Sequence, residues 1–272
     1  MEKYSRVLTI AGSDSGGGAG IQADIKAISA TGGYAASAVT AVTVQNTVGV
    51  IDVFPVPPEI VAAQIDAVLS DIGADAVKIG MLHSSEVIGA ISTKLSEFGI
   101  ANIVLDPVMV STSGHRLIEE SAVGTLKSLL IPMARVITPN VPEAEILAGR
   151  KIYAEKDLPV VARELSLGGK VSVLMKAGHL DGPEVVDYFY NAEEDHITEL
   201  RSKRIDTPNT HGTGCTLSSA FASYLAQGFS LDDAARAAKD YIASALESGS
   251  RYSIGHGHGP VNHFWREPWA SE

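Results

Sequence analysis

The chain has 272 residues, 45% hydrophobic and 19% charged, which allows a sizeable core in one or two domains. A formal net charge of −11 argues against nucleic acid or an anionic membrane as the main partner. The single cysteine excludes an internal disulfide and fits a reducing compartment. No run of about 18 apolar residues marks a membrane span, and Met1 to Arg6 lead into no signal-like stretch, so a cytoplasmic protein is expected.

Residues 7–11 read as a short buried strand. It runs into Gly12-Ser13-Asp14-Ser15-Gly16-Gly17-Gly18-Ala19-Gly20 and a helix over about 21–31. This loop is not a Walker A motif, because no Lys-Ser or Lys-Thr follows. Ile21 also stands where a dinucleotide fingerprint would need its third glycine. The loop is either a surface turn or a cover over a small substrate. Asp24 is expected in the first helical turn, favourable to the dipole and within reach of a substrate hydroxyl. Strands at 35–45 and 48–53 flank Asn46-Thr47, and Gln45 offers a donor and an acceptor to a heterocycle edge.

A helix follows over 57–71, a strand over 76–81, a helix capped by Ser84 reaching Phe98, and a strand over 102–109. Residues 111–114 have the composition of a lid. Next come a helix at 119–130, a strand at 136–138, a helix opening at Pro139, a helix at 158–168 and a strand at 171–176. Two antiparallel edge strands, 184–191 and 196–205, precede a helix after Cys215 and another over 231–248. His256 and His258 lack the spacing of a metal site and read as a flexible tail.

Steady alternation of strands and helices implies βαβ units, a mostly parallel sheet covered on both faces, and one domain over 1–272. Sites in such sheets gather outside the carboxyl ends of the strands. That rule groups Gly12, Gln45, Met81, Asp106-Pro107-Val108, Asn140, Glu143, Lys176 and the loop before Cys215. Asp106 is either a turn acid or an aid to metal or phosphate. Asn140 and Glu143, three apart, share one side of a helical turn and suit water-mediated Mg²⁺ or a helix cap. Lys176 is a phosphate clamp or a snorkelling surface lysine. In Asn209-Thr210-His211-Gly212-Thr213-Gly214-Cys215, glycines open a helix whose free N–H groups suit an anion, and that field is expected to favour the Cys215 thiolate. Phosphoryl or acyl transfer, or a plain helix start, fits this pattern.

These motifs, with Gly16-Gly17-Gly18-Ala19-Gly20-Ile21-Gln22-Ala23-Asp24, Lys78-Ile79-Gly80-Met81 and Thr138-Pro139-Asn140-Val141-Pro142-Glu143, occur in order along nearly the whole chain. Together they resemble the hydroxymethylpyrimidine/phosphomethylpyrimidine kinases, ribokinase-like enzymes of thiamine biosynthesis. The resemblance implies a three-layer α/β/α fold with a mostly parallel central sheet, and a homodimer. It implies ATP- and Mg²⁺-dependent phosphorylation of 4-amino-5-hydroxymethyl-2-methylpyrimidine, then of its monophosphate. It places Gly12, Asp24, Gln45, Met81 and Val108 around the pyrimidine, Asn140 and Glu143 (with Asp106) at the metal, and Lys176 and Thr210 at the nucleotide phosphates. Gly212, Thr213 and Gly214 would form the anion hole, and Cys215 fills the slot where many superfamily members carry an aspartate base. Ala177 departs from the second glycine common there. Rival readings are a pyridoxal or pyridoxine kinase, a non-catalytic pyrimidine or nucleotide sensor, and an acyl-transfer enzyme with a Cys215 nucleophile.

Overall fold

In the computed structural model, residues 4–109, 117–180 and 182–266 are described. Among them the apolar runs form nine strands. These are β1 (Arg6–Asp14), β2 (Tyr34–Gln45), β3 (Val50–Pro55), β4 (Ala76–Ile79), β5 (Ile103–Leu105), β6 (Val136–Ile137), β7 (Ser172–Met175), β8 (Glu184–Asn191) and β9 (His196–Lys203). The helices are α1 (Gly20–Ala30), α2 (Pro58–Asp71), α3 (Ser85–Glu97), α4 (Glu120–Thr125), α5 (Val141–Ala148), α6 (Leu158–Leu165), α7 (Thr213–Ala226) and α8 (Leu231–Gly249). One sheet holds all strands in the order β3-β2-β1-β4-β5-β6-β7-β8-β9. The centre from β2 to β7 is parallel, while β3, β8 and β9 pair antiparallel at the two ends.

Both faces of the parallel centre are covered, which is why its strands read as continuous apolar runs. Successive side chains leave opposite faces. Leu8, Ile10, Val77, Ile79, Ile103 and Leu105 pack with α2 to α6, whereas Val7, Ala76, Val104, Val136 and Leu174 pack with α1, α7 and α8. The result is three layers. Strands β2 and β4 lie on either side of β1, so the chain reverses its direction of travel across the sheet there. This switch point opens a crevice outside the strand ends.

Local chemistry moves several boundaries from their expected places. Helix α6 stops at Leu165, because Leu167, Gly168 and Gly169 all adopt positive φ. Helix α4 widens after Thr125 into a π turn over Leu126–Leu130. Pro132 follows, and its ring opposes the carbonyl four residues back. The proposed lid at 111–114 lies outside the described residues.

The flexible-tail reading is corrected by the structure. Asn209 Nδ2 donates to the carbonyls of Gly249 (2.8 Å) and Tyr252 (2.7 Å). Farther on, the His211 N–H donates to Gly259 at 3.1 Å, and the His258 N–H donates to Thr47 at 2.8 Å. The tail is thereby docked across the Asn46-Thr47 turn and the loop before α7.

Candidate active site

A cavity of about 630 Å³ occupies the crevice. Gly12, Gln45, Met81, Asp106, Val108, Asn140, Glu143, Lys176, Thr210, Gly212, Thr213, Gly214 and Cys215 all line it. Gly12 matters by its lack of a side chain, since a Cβ there would sit 3.0 Å from the Met81 sulfur.

Asp24 does not line the cavity, which corrects its expected place beside the substrate. Helix α1 starts at Gly20, so Asp24 falls in the second turn and points inward. It is fully buried. Its carboxylate accepts from Thr9 Oγ1 (2.6 Å), Ser219 Oγ (2.7 Å) and Lys78 Nζ, the last at 2.9 Å to each oxygen. No capacity remains for a ligand hydroxyl. Lys78, itself fully buried, forms part of the cavity floor.

The helix-start loop is built around backbone conformation. Gly212 takes φ 76° and precedes the first residue of α7. A Cβ there would lie 1.9 Å from the Gly18 carbonyl, so the two glycine loops touch backbone to backbone. At Gly214 a Cβ would sit 3.1 Å from Lys176 Nζ. The opening turn of a helix carries unpaired N–H donors and the positive dipole end, and here a lysine faces the same space.

Lys176 Nζ donates to Asp106 Oδ1 at 2.6 Å and lies 3.8 Å from Glu143 Oε2. Thr138 Oγ1 donates to the same Asp106 oxygen at 3.0 Å. Burial works against the Asp106 carboxylate, but Lys176, Lys78 and these hydrogen bonds hold it below the usual range. Glu143 has less compensation. Burial pushes it up to about 7, with Lys176 opposing and Asp106 adding to the rise. Two buried carboxylates around one ammonium form a set of hard oxygen donors short of positive charge, which fits Mg²⁺. The cap reading of Asn140 and Glu143 is the one seen directly. Asn140 Oδ1 accepts from the Glu143 N–H at 2.9 Å, and Glu143 Oε2 accepts from the Asn140 N–H at 2.8 Å.

A family model described as phosphomethylpyrimidine kinase matches residues 14–262. The chain belongs to the phosphomethylpyrimidine kinase family. It is 50% identical over 260 residues to the hydroxymethylpyrimidine/phosphomethylpyrimidine kinase of Rhizobium meliloti, covering 95% of this chain and 97% of that one. It is also 50% identical over 257 residues to the thiamine biosynthesis bifunctional protein ThiED of Geobacter sulfurreducens. There the match takes in 94% of this chain and spans 52% of the longer relative. Among solved structures, the ADP complex of Bacillus subtilis pyridoxal kinase superposes with a TM-score of 0.88 at 34% identity, covering 96% of this chain and 98% of that one. The fold is thus the ribokinase-like three-layer α/β/α arrangement.

In this member of the phosphomethylpyrimidine kinase family, the expected thiolate is corrected. Burial pushes the Cys215 thiol up to about 11, with Lys78 opposing and Asp24 and Asp106 adding to the rise. The helix end does not outweigh that burial. Sequence reasoning also missed Lys78, Asp14 and His211. The signal for Lys78 was present, because a lysine inside the fully buried run Ala76–Ile79 requires a counter-charge. Asp14 and His211 gave no such signal, since their 3.0 Å contact joins residues 197 positions apart.

Proposed function

We infer that the protein is an ATP- and Mg²⁺-dependent kinase of thiamine biosynthesis. It phosphorylates the hydroxymethyl group of 4-amino-5-hydroxymethyl-2-methylpyrimidine and then the monophosphate, giving the diphosphate. The observation that carries this reading is one cavity holding a heterocycle wall (Gly12, Gln45, Met81, Val108), the start of α7, and Lys176. Ile205, Ile242, Ala243 and Leu246, in the same lining, offer apolar surface for a flat nucleotide base.

Phosphoryl transfer relies on positioning and charge stabilisation more than on covalent chemistry. The Gly212–Cys215 turn gathers the transferring group, and Lys176 offsets the charge on the nucleotide phosphates, with Thr210 in the same cavity lining. Asn140 and Glu143 would hold Mg²⁺ through water, with Asp106 at the same site, and the ion would supply further neutralisation of the phosphate oxygens. As the thiolate, Cys215 takes the hydroxyl proton onto sulfur while the hydroxymethyl oxygen bonds to the γ-phosphorus and the bond from that phosphorus to the ADP leaving oxygen breaks. A cation on Asp106 would offset one of the charges that push the thiol up. If Cys215→Ala kept near wild-type turnover, this base role would be wrong.

The test is ATP-dependent product formation with Mg²⁺, following mono- and diphosphate separately and running pyridoxal in parallel. Both pyrimidine phosphates in sequence support the reading. Faster turnover of pyridoxal moves the protein to the vitamin B6 kinase reading, which the likeness to the Bacillus subtilis enzyme favours. No transfer to either substrate leaves a sensor.

A homodimer through the β2–β3 end of the sheet belongs to the same reading. Val44, Ile51 and Phe54 are 52%, 71% and 69% exposed there, an apolar patch of the kind that marks protein contact. Sedimentation velocity tests it. A cytoplasmic setting accords with the free Cys215. No described helix is long and apolar enough to cross a membrane.

A further inference from the structure

Gln45, at the end of β2, and His211, in the loop before α7, meet at the cavity wall. His211 Nε2 lies 3.0 Å from Asp14 Oδ2 and 3.2 Å from the amide terminus of Gln45. One imidazole nitrogen cannot donate to one partner and accept from the other. Asp14 decides between them. Its carboxylate also accepts the backbone N–H groups of Gly16 (2.8 Å), Gly18 (3.0 Å) and Ala19 (2.8 Å). Burial opposes its charge, yet His211 and the N–H groups of Ala19 and Gly16 hold it below the usual carboxylate range. An ionised carboxylate only accepts, so His211 Nε2 carries a proton, in the neutral tautomer and in the imidazolium alike.

The Gln45 atom facing that N–H must then be Oε1, because an NH₂ turned towards His211 sets two donors against each other. The same orientation resolves a second conflict. Thr43 Oγ1 lies 3.0 Å from the Ser13 carbonyl and 3.0 Å from the other amide atom of Gln45. Its one proton goes to Ser13, which leaves a lone pair for the Gln45 NH₂. The imidazole itself has no room to swing. A Cβ on Gly18 would lie 2.5 Å from His211 Cδ2, and the backbone N–H of His211 donates to the Gly259 carbonyl at 3.1 Å, which fixes the residue that carries the ring.

We propose that His211, held by Asp14, determines specificity by locking the Gln45 amide in one orientation. Each end of the locked amide keeps one free capacity, a lone pair on Oε1 and an N–H on Nε2. That ordered pair matches a heterocycle carrying an amino group beside a ring nitrogen, and a flipped amide would present the reverse order. The inference rests on the reading of this cavity as the pyrimidine site.

The probes are the 4-aminopyrimidine substrate and its analogue lacking the amino group, compared by competition binding and by steady-state kinetics. Wild-type protein should prefer the amino compound on the order of tenfold. His211→Ala and His211→Asn should weaken the amino compound by roughly that factor, leave the analogue's affinity unmoved, and raise KM more than they lower kcat. His211→Gln, whose amide reaches the Nε2 position, should recover most of the preference. Equal weakening of both compounds, or a kcat loss with KM unchanged, would show a merely structural latch and overturn the proposal. An intact preference in His211→Ala would overturn it too. If the alanine variant fails to give a cooperative thermal transition, the contrast between Gln and Asn decides, and equal behaviour of the two refutes the lock. Wild-type protein that binds neither compound removes the substrate reading itself, an outcome visible before any variant is made.

Discussion

Lys78 offers the sharpest test of how charge is arranged beneath the site. It is fully buried, and its Nζ lies 2.9 Å from both oxygens of an equally buried Asp24. Burial alone would discharge the lysine, but Asp24, with Asp106 and Cys215 farther off, holds the ammonium. Lys78→Met keeps the volume and removes the charge, leaving the Asp24 carboxylate with only the hydroxyls of Thr9 and Ser219. An uncompensated buried charge of this kind costs about 3–5 kcal/mol. At about 2–4 °C per kcal/mol for a domain of this size, the thermal midpoint should fall by roughly 10 °C. Adding Asp24→Asn removes the stranded charge and should recover most of that loss. The second readout is chemical. Cys215 is the only cysteine, so alkylation reports on one sulfur. Lys78 is the largest influence holding its thiol down, so Lys78→Met should slow labelling by iodoacetamide at alkaline pH by about tenfold. A Lys78→Met protein that melts within about 2 °C of wild type, and labels at the wild-type rate, would refute the reasoning on both counts.

Gly212→Ala forces a side chain into a left-handed backbone and onto the Gly18 carbonyl, so kcat should fall by at least about 100-fold in steady-state assays of folded protein. Lys176→Met strips the nearest cation from Asp106 and Glu143, and should lower kcat/KM by roughly 100- to 1,000-fold with a raised KM for ATP. His263 governs a pH dependence remote from the chemistry. Burial pushes its imidazole down to about 4, with Lys26 adding to the fall and Nε2 lying 2.9 Å from Thr216 Oγ1. The folded value lies below the unfolded one, so the unfolded chain takes up the proton first as pH drops. Stability is full above the unfolded value of 6.5 and is lost towards about pH 4, by at most ~3 kcal/mol. Urea unfolding should show this slope in wild type and a shallower one in His263→Gln, and equal slopes would contradict it.

The sequence by itself determined what depends on neighbours along the chain. Runs apolar at every position marked strands buried on both faces, and their alternation with helices made the sheet parallel and the fold three-layered. Ser84 caps α3, and Asn140 with Glu143 closes a capping box on α5, because these contacts span three residues. Glycine loops showed where backbone comes close, and the strand-end rule gathered residues that line one cavity. Asp24, set beside the substrate by its helix position and the family resemblance, shows what only the tertiary structure decided. Its partners Lys78 and Ser219 lie 54 and 195 residues away, and they turn an apparent ligand group into a saturated counter-ion. The state of Cys215 was hidden for the same reason. A helix start argues for a thiolate, but burial and the carboxylates of Asp24 and Asp106, brought in from other elements, outweigh it. The glycine-rich tail read as loose because none of its partners is local. Local propensity and periodicity are written residue by residue, whereas electrostatics and desolvation act through space, and their sign is set only when distant segments pack.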